Sequence, residues 1–431
     1  MISDATVHKK NRSSQKFSTE IQSNNFWKGL LWYALGLFFI LGTASYLAFN
    51  QPVVPVKFMP VTVLVSALYI SICINRYLSD NYQSYRAIGL SAFYATVGIF
   101  LIFSIAAFFR FNYSRSFLSL THIIMVSWLA IGMLFFRNRH QSYIVIKGGI
   151  ADKLQRFSDV GWRFLEDYRA EGNFSYYDGI VVDLHAHNDE QMLKTLADSN
   201  LQGVPVLHAA SVYEKYSGRS NLDYLAEEGF YQLTESHVYR IFKRIWEVLL
   251  IMAFFPVIIS LMAVVALVIK FDSKGPVLFT QQRIGKNDTP FILYKFRSMT
   301  DKAEEDGAQF ATKDDKRITK VGQFIRKFRI DELPQFWNVI KGDMSLIGPR
   351  PEQQEFVSFF KEEISFYSYR HKVRPGITGW AQVKSGYASD LDSTVKKLEH
   401  DLYYVKNINL SLDLLIVYAT LKTILTGFGS R

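Results

Sequence analysis

Residues 248–269 read VLLIMAFFPVIISLMAVVALVI. How this run meets a membrane decides the arrangement of everything after it. The run holds 22 residues without a charge, long enough to cross a bilayer, which takes about 20. A simple crossing would separate its flanks, yet both flanks are basic. Arg240, Lys243 and Arg244 precede it, and Lys270, Lys274, Arg283 and Lys286 follow it. Basic residues collect on the cytoplasmic side, so both flanks are expected there. Pro256 sits near the middle. It removes an N–H from the helix interior and its ring crowds the preceding turn, so it can break the helix. The run therefore reads as a re-entrant helix over 245–270 that enters, kinks at Phe255-Pro256 and returns. Backbone opened at that depth must be covered by protein.

Working outward to the N-terminal side, residues 1–25 are polar, with Lys9, Lys10, Arg12 and Lys16. They read as a cytoplasmic tail, because the apolar run behind them is too long for a signal peptide. Apolar stretches at about 29–49, 58–75, 87–109 and 117–136 each approach the length of a crossing, so 26–140 is expected to form four transmembrane helices. The loop between the third and fourth is ambiguous, with Arg110 and Arg115; the other basic residues favour both ends inside. His122 reads as a bundle residue, not a ligand.

Residues 141–235 read as a soluble α/β domain. Strands are expected at 142–148, 178–184 and 203–208, a helical stretch after the first strand to about 170, and a helix over DEQMLKTLADS (189–199). Alternating strand and helix implies a parallel, Rossmann-like sheet. Gly148-Gly149 is not G-x-G-x-x-G, so the phosphate cradle is degenerate and a structural or regulatory role is expected. His185 and His187 follow a strand and read as solvated loop residues, not metal ligands.

Composition agrees with this division. The chain has 431 residues, 49% hydrophobic and 15% aromatic, but 20% are charged and must stay in water. The net charge of +10 is interleaved with apolar runs, which points to membrane lipid and phosphate-bearing substrates, with no nucleic acid. The single cysteine, Cys73, excludes an intramolecular disulfide framework and a cysteine zinc site.

On the C-terminal side, residues 325–351 read IRKFRIDELPQFWNVIKGDMSLIGPRP. Asp331 and Glu332 lie between Arg326, Lys327 and Arg329 on one side and Lys341 and Arg350 on the other. One carboxylate can attack phosphorus, the other can hold a divalent metal, and the cations can neutralise phosphate oxygens. The plainer alternative is a helix N-terminus with solvated charges. Pro334, Gly342-Asp343 and Gly348-Pro349-Arg350-Pro351 add to the functional reading. Lys295, Arg297 and Met299 alternate with Tyr294, Phe296 and Ser298; the basic face can line a phosphate site or belong to a half-exposed strand. Residues 411–427 form an amphipathic stretch expected at the membrane interface.

Three blocks in order carry a resemblance: QQRIGKNDTPFILYKFRSM (281–299), DELPQFWNVIKGDMSLIGPRP (331–351) and KVRPGITGWAQV (372–383). Residues 236–431 resemble the bacterial sugar transferases that use a polyprenyl-phosphate acceptor, the monotopic phosphoglycosyl transferases. The whole chain resembles the longer members that initiate exopolysaccharide or capsule synthesis. The implied fold class is membrane α plus α/β: a four-helix transmembrane bundle, a degenerate Rossmann-like domain, and a monotopic α/β catalytic domain with the same re-entrant helix. The resemblance implies that Arg326 and Arg350 bind phosphate. It also places Arg374, as a further phosphate ligand, with Gly376, Thr378, Gly379 and Gln382, near the active site.

The expected reaction moves a sugar-1-phosphate from a UDP-sugar to undecaprenyl phosphate through a covalent Asp331 intermediate. Mg2+ is expected on Glu332 and Asp331. The catalytic part would face the cytoplasm at the bacterial inner membrane; a fifth crossing would place it outside, away from nucleotide sugars. Homo-oligomer formation is left open. Two rivals are polytopic phosphosugar transferases and a non-catalytic membrane-anchored sensor or scaffold. The soluble setting of the acidic pair weighs against the first, and the intact Asp331-Glu332 against the second.

Overall fold

The structure is a computed structural model that describes residues 31–78, 84–135, 142–225, 237–299, 317–385 and 390–426, apart from 159, 168–173, 175–176 and 188. The chain divides into two compact units, Met1–Tyr216 and Ser217–Arg431.

The first unit opens with four helices, α1 (Leu31–Phe49), α2 (Met59–Leu78), α3 (Ser84–Phe108) and α4 (Arg115–Phe135), each long and apolar enough to cross a membrane. Ile40, Tyr69, Ile72, Ala95, Met125 and Leu129, drawn from all four, share one buried cluster. Their outward positions are apolar too: Phe38, Leu47, Val63, Phe100, Leu101 and Ile123 are exposed. Helices apolar on every side belong in apolar surroundings. His122 lies 3.3 Å from the Thr96 hydroxyl, a contact between α4 and α3.

The α/β part contains β1 (Ser142–Ile146), β2 (Gly161–Leu165), β3 (Gly179–Val182), α5 (Glu190–Leu201), β4 (Val206–His208) and α6 (Ala209–Ser217). The strands are parallel in the order β2-β1-β3-β4. The helical stretch expected up to residue 170 is corrected: a 3-10 stretch, Gly149–Arg156, is followed by β2. The reason is the aromatic content of GWRFL. Trp162 stacks on Tyr143 of β1 at 5.5 Å, and aromatic side chains suit a pleated, half-buried surface.

Strand order reverses between β1 and β3, the place where such sheets take ligands. There the Asp183 carboxylate accepts the Ile150 N–H at 2.9 Å and the His185 N–H at 3.1 Å. Gly149, at φ 59°, permits the approach; a Cβ there would lie 2.0 Å from Asp183 Oδ2. Two of the loop donors are thus spent on the chain's own carboxylate. His187 Nε2 lies 2.8 Å from the Lys147 carbonyl, and the His185 ring faces His208.

The second unit begins with residues 217–225, including α7 (Leu222–Leu225), a segment that the sequence reading groups with the α/β domain. The Gly218 carbonyl accepts the Trp380 indole N–H at 2.8 Å and lies 2.8 Å from His400 Nδ1. Leu225 joins Val357, Leu398 and Leu402 in the main core cluster. Buried indole donors need such an acceptor, which ties the segment to this unit.

The next element, α8 (His237–Asp272), is a single helix of 36 residues with Pro256 inside it. It does not divide in two at Phe255-Pro256, and it starts before residue 245. Backbone groups in apolar surroundings can pair only within a helix, which outweighs the one hydrogen bond a proline removes, and Ser260 Oγ donates to the Pro256 carbonyl at 2.8 Å. Both ends of α8 are held by the second unit. Near the first end, Tyr239 donates to Asp413 at 2.7 Å, Lys243 pairs with Asp413 at 2.9 Å, and Glu247 accepts the Ser345 hydroxyl at 2.6 Å. Near the other, Val265 and Ile269 cluster with Phe296 and Ile325. Between them Met252, Phe254, Val257, Ile259, Leu261 and Val264 are exposed.

An antiparallel hairpin follows, β5 (Leu278–Ile284) and β6 (Pro290–Phe296), then α9 (Lys320–Lys327), α10 (Gln335–Lys341), β7 (Ser345–Ile347), α11 (Gln354–Glu363), β8 (Gly376–Thr378), α12 (Trp380–Lys384), α13 (Leu391–Lys406) and α14 (Leu410–Thr426). The short strands β7 and β8 pair in parallel, Ser345 against Gly376 and Ile347 against Thr378. Three glycines let these backbones touch. A Cβ on Gly376 would lie 2.0 Å from the Gly348 nitrogen, and one on Gly379 would lie 2.1 Å from the Gly348 carbonyl oxygen. The KVRPGITG block therefore clamps the segment that leads to Arg350. The α14 helix buries Leu412 and Ile416 against Ile347, Trp380 and Tyr404.

Candidate active site

Asp331 and Glu332 occupy a 3-10 turn, Ile330–Glu332, between α9 and α10. Arg329 enters that turn in the left-handed region, at φ 55°, a conformation that costs a residue with a side chain about 1 kcal/mol or more. The turn is what lifts both acids out of the helices on either side. Both are nearly buried, at 8% and 6% exposure, so each charge must be matched by neighbours.

The two acids are matched unequally. Glu332 bonds Arg350 at 2.9 Å and lies 3.5 Å from Arg329 and 3.9 Å from Lys295. Burial pushes its pKa up, but Arg350, Lys295 and Arg329 outweigh burial and hold it below the ordinary value. Among the described residues the Asp331 carboxylate makes no hydrogen bond or ion pair. Burial, then the charge of Glu332, raise its pKa, against the pull of Lys295, Arg350 and Arg326. One acid is thus a fixed anion in a cationic cage, and its neighbour, among the described residues, is a carboxylate with unspent oxygens.

The cations come from separate elements. Lys295 is on β6, and burial followed by the Arg350 charge lowers its pKa to about 8. Strand β6 is tied to α10 through Asn338, fully buried, which donates to the Ile292 carbonyl at 2.6 Å and accepts the Tyr294 N–H at 3.1 Å. Arg326 closes α9 and acts on Asp331 through its charge. Five of the expected phosphate and acid residues, Lys295, Arg326, Arg350, Asp331 and Glu332, are therefore brought together. Arg329 joins them as a cage residue that the sequence reading noted only as a flanking charge.

Two expected phosphate ligands are turned elsewhere. Arg297 lies past the end of β6, where its guanidinium donates to the Ser273 and Lys274 carbonyls at 2.8 and 2.9 Å. It fastens the far end of α8. Arg374 donates through Nε to the Gly342 carbonyl at 2.9 Å, while Arg244 bonds the Val339 and Ile340 carbonyls. Both arginines cap the C-terminal end of α10, about 10 Å along that helix from the acids.

The profile of the family described as bacterial sugar transferase matches residues 238–427. The chain is 45% identical over 331 residues to a UDP-N-acetylgalactosamine-undecaprenyl-phosphate N-acetylgalactosaminephosphotransferase of Aeromonas hydrophila, a match covering 75% of this chain and 77% of that one. The chain belongs to the bacterial sugar transferase family. The transferase is also 39% identical over 203 residues to the UDP-glucose:undecaprenyl-phosphate glucose-1-phosphate transferase of Escherichia coli (strain K12), 47% of this chain and 43% of that one. A third relative, the exopolysaccharide production protein PSS of Rhizobium leguminosarum bv. phaseoli, is 38% identical over 193 residues, 43% of this chain but 96% of that protein.

The oxygens of the acid pair are hard donors of the kind magnesium takes; those of Glu332 are shared with Arg350, Arg329 and Lys295. Magnesium takes one or two carboxylates and leaves its other positions to water and phosphate.

Proposed function

We propose that this transferase moves a sugar-1-phosphate from a UDP-sugar to undecaprenyl phosphate, with Asp331 as the nucleophile. The single observation that carries the reading is the asymmetry of the pair: Glu332 is held by cations, and Asp331 is buried beside the same cations with its carboxylate unspent among the described residues. Donor and acceptor are both polyanions, so a direct attack meets charge repulsion. A protein nucleophile divides the step. An Asp331 oxygen bonds to the sugar-bearing phosphorus as the bond from that phosphorus to the bridging oxygen breaks. UMP leaves with the electron pair. A phosphate oxygen of the acceptor then attacks the same phosphorus, the Asp331–phosphorus bond breaks, and the polyprenyl diphosphate sugar departs.

Arg350, Lys295 and Arg326 surround the acids and are suited to the phosphate oxygens, since a guanidinium offers them a bidentate fork. Glu332 and Asp331 are the residues that would hold magnesium, which when bound supplies positive charge against the diphosphate.

The same reading includes topology. Four helices cross the inner membrane, and α8, continuous but bent at Pro256, enters and returns, leaving the catalytic unit on the cytoplasmic face. Support comes from the two anchored ends of α8 and the exposed apolar side chains between them, a surface that water would not tolerate.

The names of the relatives favour a UDP-hexose donor, with UDP-N-acetylgalactosamine the first to test. Purified protein is to be incubated with a panel of UDP-sugars and labelled UMP, and exchange of label into the UDP-sugar measured. Exchange without acceptor is expected, and it disappears in Asp331→Asn. Exchange at an undiminished rate in that variant would sink the covalent route.

A further inference from the structure

The segment Pro349-Arg350-Pro351-Glu352 is held by its carbonyls. The two prolines have no N–H to give, so the segment can add little to a ladder from that side. Instead each of four consecutive carbonyl oxygens accepts a donor from elsewhere. Pro349 accepts the Gly376 N–H at 2.9 Å, and Arg350 accepts Arg370 Nη2 at 2.9 Å. Pro351 accepts Arg283 Nη1 at 3.3 Å, and Glu352 accepts the Ile284 N–H at 3.0 Å. The donor at the carbonyl of Arg350 itself is a side chain. Arg370 is buried and is in turn held by Asp401 at 2.7 Å and by the Tyr367 hydroxyl at 2.8 Å.

We propose that Arg370, clamped by Asp401 and Tyr367, is a positioning residue that sets the backbone of Arg350 and so aims the Arg350 guanidinium at Glu332 and at the phosphate of the donor. The inference rests on the transfer reading above. Stability alone is a poor account of the arrangement. A buried ion pair recovers little more than the desolvation it costs, and a well-packed apolar pair of similar volume is often as stable. What the fork of Arg370 supplies is geometry. It reaches a hydroxyl and a main-chain carbonyl by hydrogen bonds from separate nitrogens and a carboxylate by charge, which an ammonium does not reproduce. A functional side chain displaced by about 1 Å loses on the order of a hundredfold in rate.

The test is a double-mutant cycle on the full-length protein in detergent, read as UMP exchange into the UDP-sugar. Arg370→Lys is expected to lower kcat and kcat/KM together, by roughly ten- to a hundredfold, because the lost contact belongs to the transition state. In an Arg350→Gln background the same change is expected to cost less than about twofold, because residues that act through one another are not additive. Multiplying losses, or an Arg370→Lys enzyme equal to the unmodified one, would overturn the proposal. If Arg370→Lys does not fold, Tyr367→Phe serves in both backgrounds: it removes one hydroxyl and leaves the ion pair, and a smaller but equally non-additive loss is expected. An additive or absent loss there overturns the proposal in the same way. No exchange by the unmodified enzyme with any UDP-sugar overturns the transfer reading, and this inference with it.

Discussion

At the scale of single residues, the acid pair sets activity against stability. Folding raises the pKa of Asp331 above its unfolded value, so the folded state favours the protonated form. Its contribution to stability is therefore present at low pH and lost as pH rises through the folded value, and an ionised Asp331 is a cost at neutral pH. Asp331→Asn keeps the shape without that charge. It is expected to leave the melting temperature equal to or above that of the unmodified protein while exchange is lost; a fall of several degrees would show the carboxylate supporting the fold. Lys295 gives the opposite limb. Its pKa is lowered to about 8, so its charge, and the exchange rate with it, should decline as pH rises through that value. Arg keeps its proton throughout this range, so Lys295→Arg is expected to carry activity well above the pH where the unmodified enzyme declines. Identical alkaline limbs in the two pH–rate profiles would remove Lys295 from the site.

The elements place those residues, and α8 is the one on which the membrane reading turns. The proposal that it enters and returns puts His237 and Asp272 on the same side. Cysteines replacing each in turn, in a Cys73→Ser background, should both be shielded from an impermeant thiol reagent in intact cells and both react after permeabilisation. Labelling of one alone would make α8 a crossing helix. The 22-residue run without a charge made the helix itself legible, whereas Pro256 marked a break that the helix runs through. The acids and Arg350 were legible because one short block, 331–351, carries all three. Strand alternation misled for Arg297: it fixes which face a side chain takes, not that the strand stops at Phe296 and leaves the next guanidinium to the end of α8. Arg370 and Asp401 lie 31 residues apart and gain their meaning only when α13 packs behind the Arg350 segment. Such long-range pairs have no periodicity to announce them.

For the whole molecule, the division into two units bears on how much of the chain the chemistry needs. Every member of the acid pair's cage lies within residues 295–350, inside the second unit. The boundary matters, however. Trp380 stands at the start of α12 with its indole N–H on the Gly218 carbonyl, and Leu225 fills the main core. A chain beginning at residue 236 would strand that buried donor and leave a cavity where Leu225 was. An unsatisfied buried donor costs about 1–3 kcal/mol and a lost buried leucine about 2–5 kcal/mol. Residues 217–431 are therefore expected to retain exchange in lipid and to melt well above residues 236–431 compared side by side. If both fold equally well, residues 217–225 add nothing to the catalytic unit. If 217–431 folds and binds lipid but cannot exchange, the four helices or the α/β part must share in the chemistry.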